Sequence, residues 1–303
     1  MNSKPTRSTL IDKGIRAGDS DMYRENAIWV QNSSDKVDIS QELMRVLREL
    51  FRAVPMNRKL KALSIGSGSE PQFQILESAF RGGLYLLDID SVPLAVIQKR
   101  VKSHWIDHVT TVLADYNKTL VHTEDAQRFF KEVLGGSTLD LIVLHHSLYY
   151  SDVSDWAELF YSLYDIILAK KGAIHAVMMS SSCKEKDSTT WLYSHFAGKF
   201  FGCKNDQNLI AFGNELRRND KFNQAEIRQV SHRVKFYIDD FAKYMAVIWM
   251  ILLYPNVHDY SYNQKEEITE YIYDNFYKFQ KPLIQMQDHL IITRWKCNNS
   301  SRV

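Results

Sequence analysis

Five short apolar runs recur between residues 60 and 180, each followed by an amphipathic or polar stretch, and this alternation constrains the chain more than any other feature. The runs are Ala62–Ile65, Leu84–Leu87, Thr110–Ala114, Leu141–Leu144 and Ala173–Met179. A strand that is apolar along its whole length must be covered on both faces, so the pattern predicts βαβ units and a mostly parallel sheet. One crossover helix is explicit. Trp156, Leu159, Phe160, Leu163, Ile166 and Ile167 mark a single helical face, and Gly172 is the expected stop.

The flanks are less regular. Leu43, Val46, Leu47, Leu50, Phe51 and Val54 recur at helical spacing, with Asp38 and Ser40 as candidate caps and Pro55 closing the segment. Residues 1 to about 37 show no sustained period, although Tyr23, Ile28, Trp29 and Val30 point to a short packed piece. After about residue 182 the pattern weakens, and Ser180–Ser188 and Asn205–Asn208 read as loop. Strand-like runs return at Arg233–Ile238 and His289–Trp295, with aromatic-rich helical sequence between them. The expected organisation is an arm or lid over residues 1–40, a core over 41–182, and a C-terminal part over 183–303 that completes the core around a helical insertion at about 239–285.

Composition removes several classes. The 303 residues are 45% hydrophobic with only 12 glycines and 6 prolines, which excludes collagen-like and disordered chains. A formal charge of +2 lacks the basic excess that non-specific nucleic-acid binding needs, so nucleic acid is disfavoured as a partner. Cys183, Cys203 and Cys297 are odd in number and contain no C-x-x-C pair, which fits a reducing, cytoplasmic setting better than a disulfide framework or a thiolate zinc site. The first residues carry no apolar signal core, and the most apolar run, Tyr244–Tyr254, is far shorter than the roughly 20 residues a membrane helix needs. Neither a secretory signal nor a membrane span is expected.

The chemistry starts where the first run ends, in Ile65-Gly66-Ser67-Gly68-Ser69-Glu70-Pro71, with a helical pattern (Phe73, Leu76, Phe80) following at once. A strand, glycine turn and helix N-terminus let backbone N–H groups approach a nucleotide-type ligand. Asp88 lies 20 residues beyond Gly68 at the end of the second run, where a carboxylate takes both ribose hydroxyls. A dinucleotide fingerprint wants a third glycine where Ser69-Glu70-Pro71 stands, and Glu70 would repel phosphates. S-adenosylmethionine carries a sulfonium cation and no phosphate, so the turn suits it better. ATP is disfavoured because no G-x-x-x-x-G-K-[ST] loop is present.

These residues resemble the class I S-adenosylmethionine-dependent methyltransferases. Five matches occur in order over about residues 60–180: LSIGSGSEP, LLDIDSVPLAV, VLADYN, LDLIVLHHSLYY and LAKKGAIHAV. The resemblance implies an α/β Rossmann-like fold, a mostly parallel seven-stranded sheet with helices on both faces and a helical lid. It implies S-adenosylmethionine as cofactor and S-adenosylhomocysteine as product. It implies that Gly66 and Gly68 hold the methionine part, Asp88 the ribose and Asp115 the adenine amino group, with Tyr116 adding a ring face, and that Ser67, Glu70, Ile89 and His145 are also cofactor-binding. Within that group the sequence is similar to histamine N-methyltransferase-like small-molecule enzymes, through the LSIG turn, the QIL helix, LYY after the fourth strand, and Asn32–Asp35. There the substrate-facing acid falls at Asp35, a shorter residue than that family's glutamate, and the glycine turn is one residue shorter.

Methyl transfer is an in-line displacement at an activated carbon, so a protein mainly holds the nucleophile and excludes water. An amine must arrive uncharged, which a neighbouring proton acceptor favours. His146 and Tyr150 are the candidate catalytic residues, and Tyr149 a substrate neighbour, because they follow the fourth strand at the ligand-binding edge. Trp249, with Tyr254, Tyr260 and Tyr262, either boxes a cationic substrate or packs a core. His104 and His108 stand at i, i+4, yet no acid lies between them as in H-E-x-x-H, and metal-dependent catechol-type enzymes place a carboxylate where this chain has His145, so no metal is expected. The expected activity is methyl transfer to a nitrogen or oxygen of a small molecule. A protein or nucleic-acid methyltransferase, or a non-catalytic methyltransferase-like interaction domain, are the alternatives; HHSLY stands where amino-DNA enzymes carry [DN]-P-P-[YF].

Overall fold

The computed structural model describes residues 5–19, 22–253 and 260–295. The apolar runs become strands β1 (Lys61–Ile65), β2 (Gly83–Asp88), β3 (Val109–Leu113), β4 (Leu139–His145) and β5 (Leu168–Met179). With β6 (Glu226–Phe236) and β7 (Leu283–Thr293) they form one seven-stranded sheet of order β3-β2-β1-β4-β5-β7-β6. The β1–β2, β2–β3, β1–β4 and β4–β5 pairs are parallel. β7 runs against β5: Ser180 N–H donates to Met286 O, and Arg294 N–H to Gly172 O.

The helices in chain order are α1 (Arg7–Arg16), α2 (Met22–Asn32), α3 (Asp35–Ala53), α4 (Phe73–Ala79), α5 (Ser91–Ser103), α6 (Tyr116–Thr119), α7 (Thr123–Glu132), α8 (Trp156–Ser162), α9 (Thr189–Phe201), α10 (Leu209–Arg218), α11 (Phe241–Leu253) and α12 (Tyr262–Asn275). Among the described residues no helix is long and apolar enough to cross a membrane.

Two compact units result. A sheet unit comprises Ile39–Met178, Leu209–Val230 and the chain from Asp288; a helical unit comprises the chain up to Asp38, Met179–Asn208 and Ser231–Gln287. In the sheet unit, side-chain alternation along each strand divides the core into two layers. Ala62, Leu84, Leu86, Leu141 and Val143 face α3, α4 and α5 through Leu43, Val46, Leu50, Phe73, Leu76 and Ile97. Leu63, Ile65, Leu87, Ile142 and Leu144 face α7, α8 and α10 through Phe129, Trp156, Leu159, Phe160 and Phe212. The helical unit has its own core of Trp29, Phe196, Tyr244, Trp249, Ile268 and Phe276.

Several boundaries differ from expectation for physical reasons. The N-terminal segment is helical because α1 buries Ile11, Gly14 and Ile15. A Cβ on Gly14 would lie 2.6 Å from Thr269 Cγ2, so a packing position is filled by a residue that contributes nothing to an apolar period. Asp38 and Ser40 lie inside α3, which starts at Asp35. The crossover helix stops before Gly172, which belongs to β5. β6 starts seven residues before the apolar run because it is an edge strand with a half-exposed, polar first half. β7 starts at Leu283, where Gln285, Gln287 and Asp288 are buried and interrupt the apolar signal.

Trp156 is fully buried and its indole N–H donates to Ser151 O at 3.2 Å, fixing the loop after β4. Trp156→Ala should cost about 3–5 kcal/mol of unfolding free energy in a urea titration followed by circular dichroism.

Candidate functional site

The turn after β1 is built on two glycines in the left-handed region, Gly66 (φ +64°) and Gly68 (φ +51°). A Cβ on Gly66 would stand 2.5 Å from Ser147 Cβ, so the turn seats directly against the loop after β4 only with glycine there. A Cβ on Gly68 would meet nothing within 4 Å, so that side of the turn is open. Ser67 N–H donates to Leu87 O at 3.0 Å and joins the turn to β2. Glu70 also has a positive φ (+48°), and its carboxylate points under the turn: Oε2 accepts from Ser64 Oγ, and Oε1 from Gln72 N–H at 3.0 Å. Its charge therefore braces the turn and the start of α4.

Asp88 closes β2. Its Oδ2 accepts from Gly68 N–H at 2.7 Å and its Oδ1 from Asp90 N–H at 2.9 Å, so one carboxylate spans the glycine turn and the start of the next loop. Ile89, the next residue, is 70% exposed. After β3, Asp115 caps α6 through Asn117 N–H at 3.0 Å, with Lys118 Nζ 3.6 Å from its Oδ2. The Tyr116 ring is buried rather than presented as a surface, and its hydroxyl donates to Ser147 O at 2.8 Å. Burial pushes that hydroxyl's pKa up, and the nearby Asp115 charge acts in the same direction.

At the end of β4, His146 has φ +58° while its N–H donates to Val177 O at 2.8 Å. The left-handed backbone turns its ring towards Tyr149: Nδ1 lies 3.3 Å from Tyr149 Oη, with the rings 6.1 Å apart and nearly parallel. A histidine in that conformation carries backbone strain, a state that concentrates at functional sites. Tyr150 is half exposed and its carbonyl accepts from Asn117 Nδ2 at 2.8 Å, linking α6 to the β4 loop.

Gly66, Ser67, Gly68, Glu70, Asp88, Ile89, Asp115, Tyr116, His145, His146, Tyr149 and Tyr150 thus gather along the carboxyl ends of β1 to β4 within one unit. The sheet order reverses between β1 and β4, the place where open α/β sheets bind ligands. Two other candidates belong to the helical unit. Asp35 is fully buried at the start of α3, with Trp29 Nε1 at 3.0 Å and Lys36 Nζ at 2.8 Å from its Oδ2. Trp249 is a core residue whose indole N–H donates to Gly14 O at 2.9 Å. Tyr260 is buried 6.1 Å from it, Tyr262 is exposed, and Tyr254 and Cys297 lie outside the described residues. His104 and His108 do not share a helix face, because α5 ends at Ser103; His104 Nδ1 meets Arg100 O and His108 Nε2 meets Glu77 O.

Ser147 and Asn117 were not singled out from sequence, although they hold the turn and the two loops together. The glycine at position 66 was the available signal for a close neighbour. His175 and His289 were also passed over; their signal was a polar residue inside strands that are otherwise apolar on both faces.

No protein-family model and no curated protein matches the chain. Among solved structures, a Bacillus halodurans C-125 protein described as a methyltransferase is similar over 82% of this chain and 99% of its own, with a TM-score of 0.50 and 10% identity. A Haemonchus contortus phosphoethanolamine N-methyltransferase 2, in complex with phosphomonomethylethanolamine and S-adenosylhomocysteine, matches 83% of this chain and 52% of its own, with a TM-score of 0.45 and 14% identity. A plantazolicin methyltransferase in complex with a substrate analogue and S-adenosylhomocysteine matches 94% and 97%, with a TM-score of 0.48 and 11% identity. The fold is the Rossmann-like α/β fold of the class I methyltransferases.

Gly66→Ala should destabilise the protein by about 1–3 kcal/mol in thermal or urea unfolding, because the new Cβ meets Ser147 and the backbone is strained. Trp249→Phe, which deletes the donor to Gly14 O, should cost about 1–3 kcal/mol in the same measurement.

Proposed function

We propose that this chain is an S-adenosylmethionine-dependent methyltransferase that acts on a nitrogen, or an oxygen, of a small molecule. One observation carries the reading: the Asp88 carboxylate bonds Gly68 N–H at 2.7 Å, at the switch point of a methyltransferase-type sheet. Each carboxylate oxygen accepts more than one hydrogen bond, so Asp88 keeps capacity for two adjacent ribose hydroxyls while its backbone donors stay in place. Asp115 Oδ1 caps α6, and its Oδ2, 3.6 Å from Lys118 Nζ, keeps acceptor capacity for an exocyclic amine donor. The exposed Ile89 side chain offers an apolar cover for a purine edge. The open side of Gly68 leaves room for a ligand against the turn. Two acids with no phosphate-binding loop fit a cationic nucleoside better than a diphosphate.

When bound, the cofactor supplies a methyl group activated by its sulfonium for in-line displacement. The protein's residues then have to present a neutral nucleophile and keep water out. With Nδ1–H directed at Tyr149 Oη, His146 keeps its acceptor lone pair on Nε2, which positions the arriving amine through a hydrogen bond. Tyr150, half exposed on the same loop, lines the acceptor side. The similarity of LSIG, QIL and LYY to the histamine N-methyltransferase-like group supports a small amine as the acceptor.

Calorimetric titration of S-adenosylmethionine tests the cofactor. The wild type should bind, and Asp88→Ala should lose about 1.5–3 kcal/mol of affinity; no binding by the wild type overturns the reading. Release of S-adenosylhomocysteine over a panel of amines, phenols and peptides tests the substrate class, and turnover of peptides alone overturns the small-molecule reading. His146→Ala should depress kcat far more than cofactor affinity.

A further inference from the structure

A line of three histidines crosses the middle of the sheet. His145 Nε2 lies 3.2 Å from His175 Nδ1, and His175 Nε2 lies 3.1 Å from His289 Nδ1. The rings of His145 and His175 meet edge to face at 4.8 Å, and those of His175 and His289 are stacked at 5.3 Å. His175 and His289 are fully buried, whereas His145, at the carboxyl end of β4, is only half buried. All three belong to the sheet unit.

The hydrogen-bond chemistry of this line is restrictive. A neutral imidazole has one donor and one acceptor, so two consecutive N···N bonds are both made only if all three rings adopt the same tautomer. With every Nε2 protonated, the acceptor nitrogen of His145 is Nδ1. With every Nδ1 protonated, the direction of both bonds reverses. A proton placed on His145 Nδ1 releases the Nε2 proton to His175 Nδ1, and His175 releases its Nε2 proton to His289 Nδ1. The added charge then resides on His289, two strands away from where it entered. Burial opposes such a charge, and acids on the same sheet face oppose that penalty. On the α3–α4–α5 face, the buried carboxylates among the described residues are Glu42 of α3, which pairs with Arg45, and Glu70, which is bonded to Ser64 and Gln72. Asp288, three residues before Ile291 in β7, alternates to the opposite face, and Asp140, at the register shift in β4, is bonded to Lys61 N–H and paired with Arg58.

We propose that His145, His175 and His289 form a proton store that takes up the proton shed by the methyl acceptor. The proposal rests on the methyltransferase reading above. An ammonium acceptor gives one proton to His145 Nδ1; its freed lone pair forms the N–CH3 bond as the S–CH3 bond breaks and that electron pair returns to sulfur. The stored proton passes back along the same two bonds to His145 and out to solvent after the product leaves. His175 and His289 are positioning residues in this scheme, acting only through His145.

The test uses the full chain with S-adenosylmethionine and an accepted amine. His175→Phe breaks both bonds while keeping a ring in the strand; His289→Gln, which keeps an acceptor, is the second variant should the first fail to fold. Both should bind the cofactor as the wild type does, lose about tenfold or more in kcat, and show the acidic limb of the kcat–pH profile displaced to lower pH, because the base loses the partners that stabilise its protonated form. Side-chain 15N NMR of the free protein should show the three histidines titrating together in the wild type, and His145 and His289 titrating separately in His175→Phe. Cofactor binding with an unshifted profile, or histidines that titrate independently in the wild type, overturns the store. Absence of cofactor binding by the wild type fails the methyltransferase reading instead, and with it the link between the histidines and methyl transfer.

Discussion

The close approach of the β1 turn to the β4 loop governs the carboxyl edge of the sheet. Gly66 lies so near Ser147 that no side chain fits between them, and Ser147 in turn receives the Tyr116 hydroxyl through its carbonyl. The loops after β1, β3 and β4 are thereby fixed to one point. Asp88 adds a fourth by bonding the backbone of Gly68 and Asp90 at once. Ligand-binding loops are usually the weakest part of a domain, because they bury little apolar surface. Here they are bound to one another through backbone groups, which gives a rigid edge without filling the space above it.

Much of this was legible in the chain. The strands covered on both faces announced themselves as continuous apolar runs, and the spacing of Gly66, Gly68 and Asp88 marked the turn that the Asp88 carboxylate bonds. The failures share one cause, which is that packing was achieved by residues without an apolar signature. α1 uses Gly14 to approach Thr269, β7 buries two glutamines and an aspartate, and β6 is polar because one side of it has no neighbouring strand. Direction of side chains was equally hidden. Glu70 reads as a charge facing the ligand, yet the positive φ of its backbone turns the carboxylate beneath the turn. Of the two uses the sequence leaves open for Trp249, a box for a cation or core packing, its indole N–H satisfied inside a helical core fits the second.

The buried histidines illustrate what a sheet interior tolerates. Polar side chains inside a two-faced sheet are costly unless each finds a partner, and a row of imidazoles across adjacent strands supplies partners from within itself. The arrangement depends on β7 lying beside β5, since sequence alone separates His175 from His289 by more than a hundred residues.

The polar first half of β6 bears on behaviour at high concentration. An outermost strand exposes unpaired peptide groups that can template fibrils. Along β6, Arg228 pairs with Glu49 and Arg233 with Glu185, so a foreign strand seeking that rim would have to displace charged side chains before reaching the peptide groups. At the other rim β3 is only five residues long and carries threonines, one of them held by Gln98. Both margins of the sheet are therefore poor seeds for amyloid-type growth, a property that leaves the loops at the strand ends untouched because they lie away from the rims.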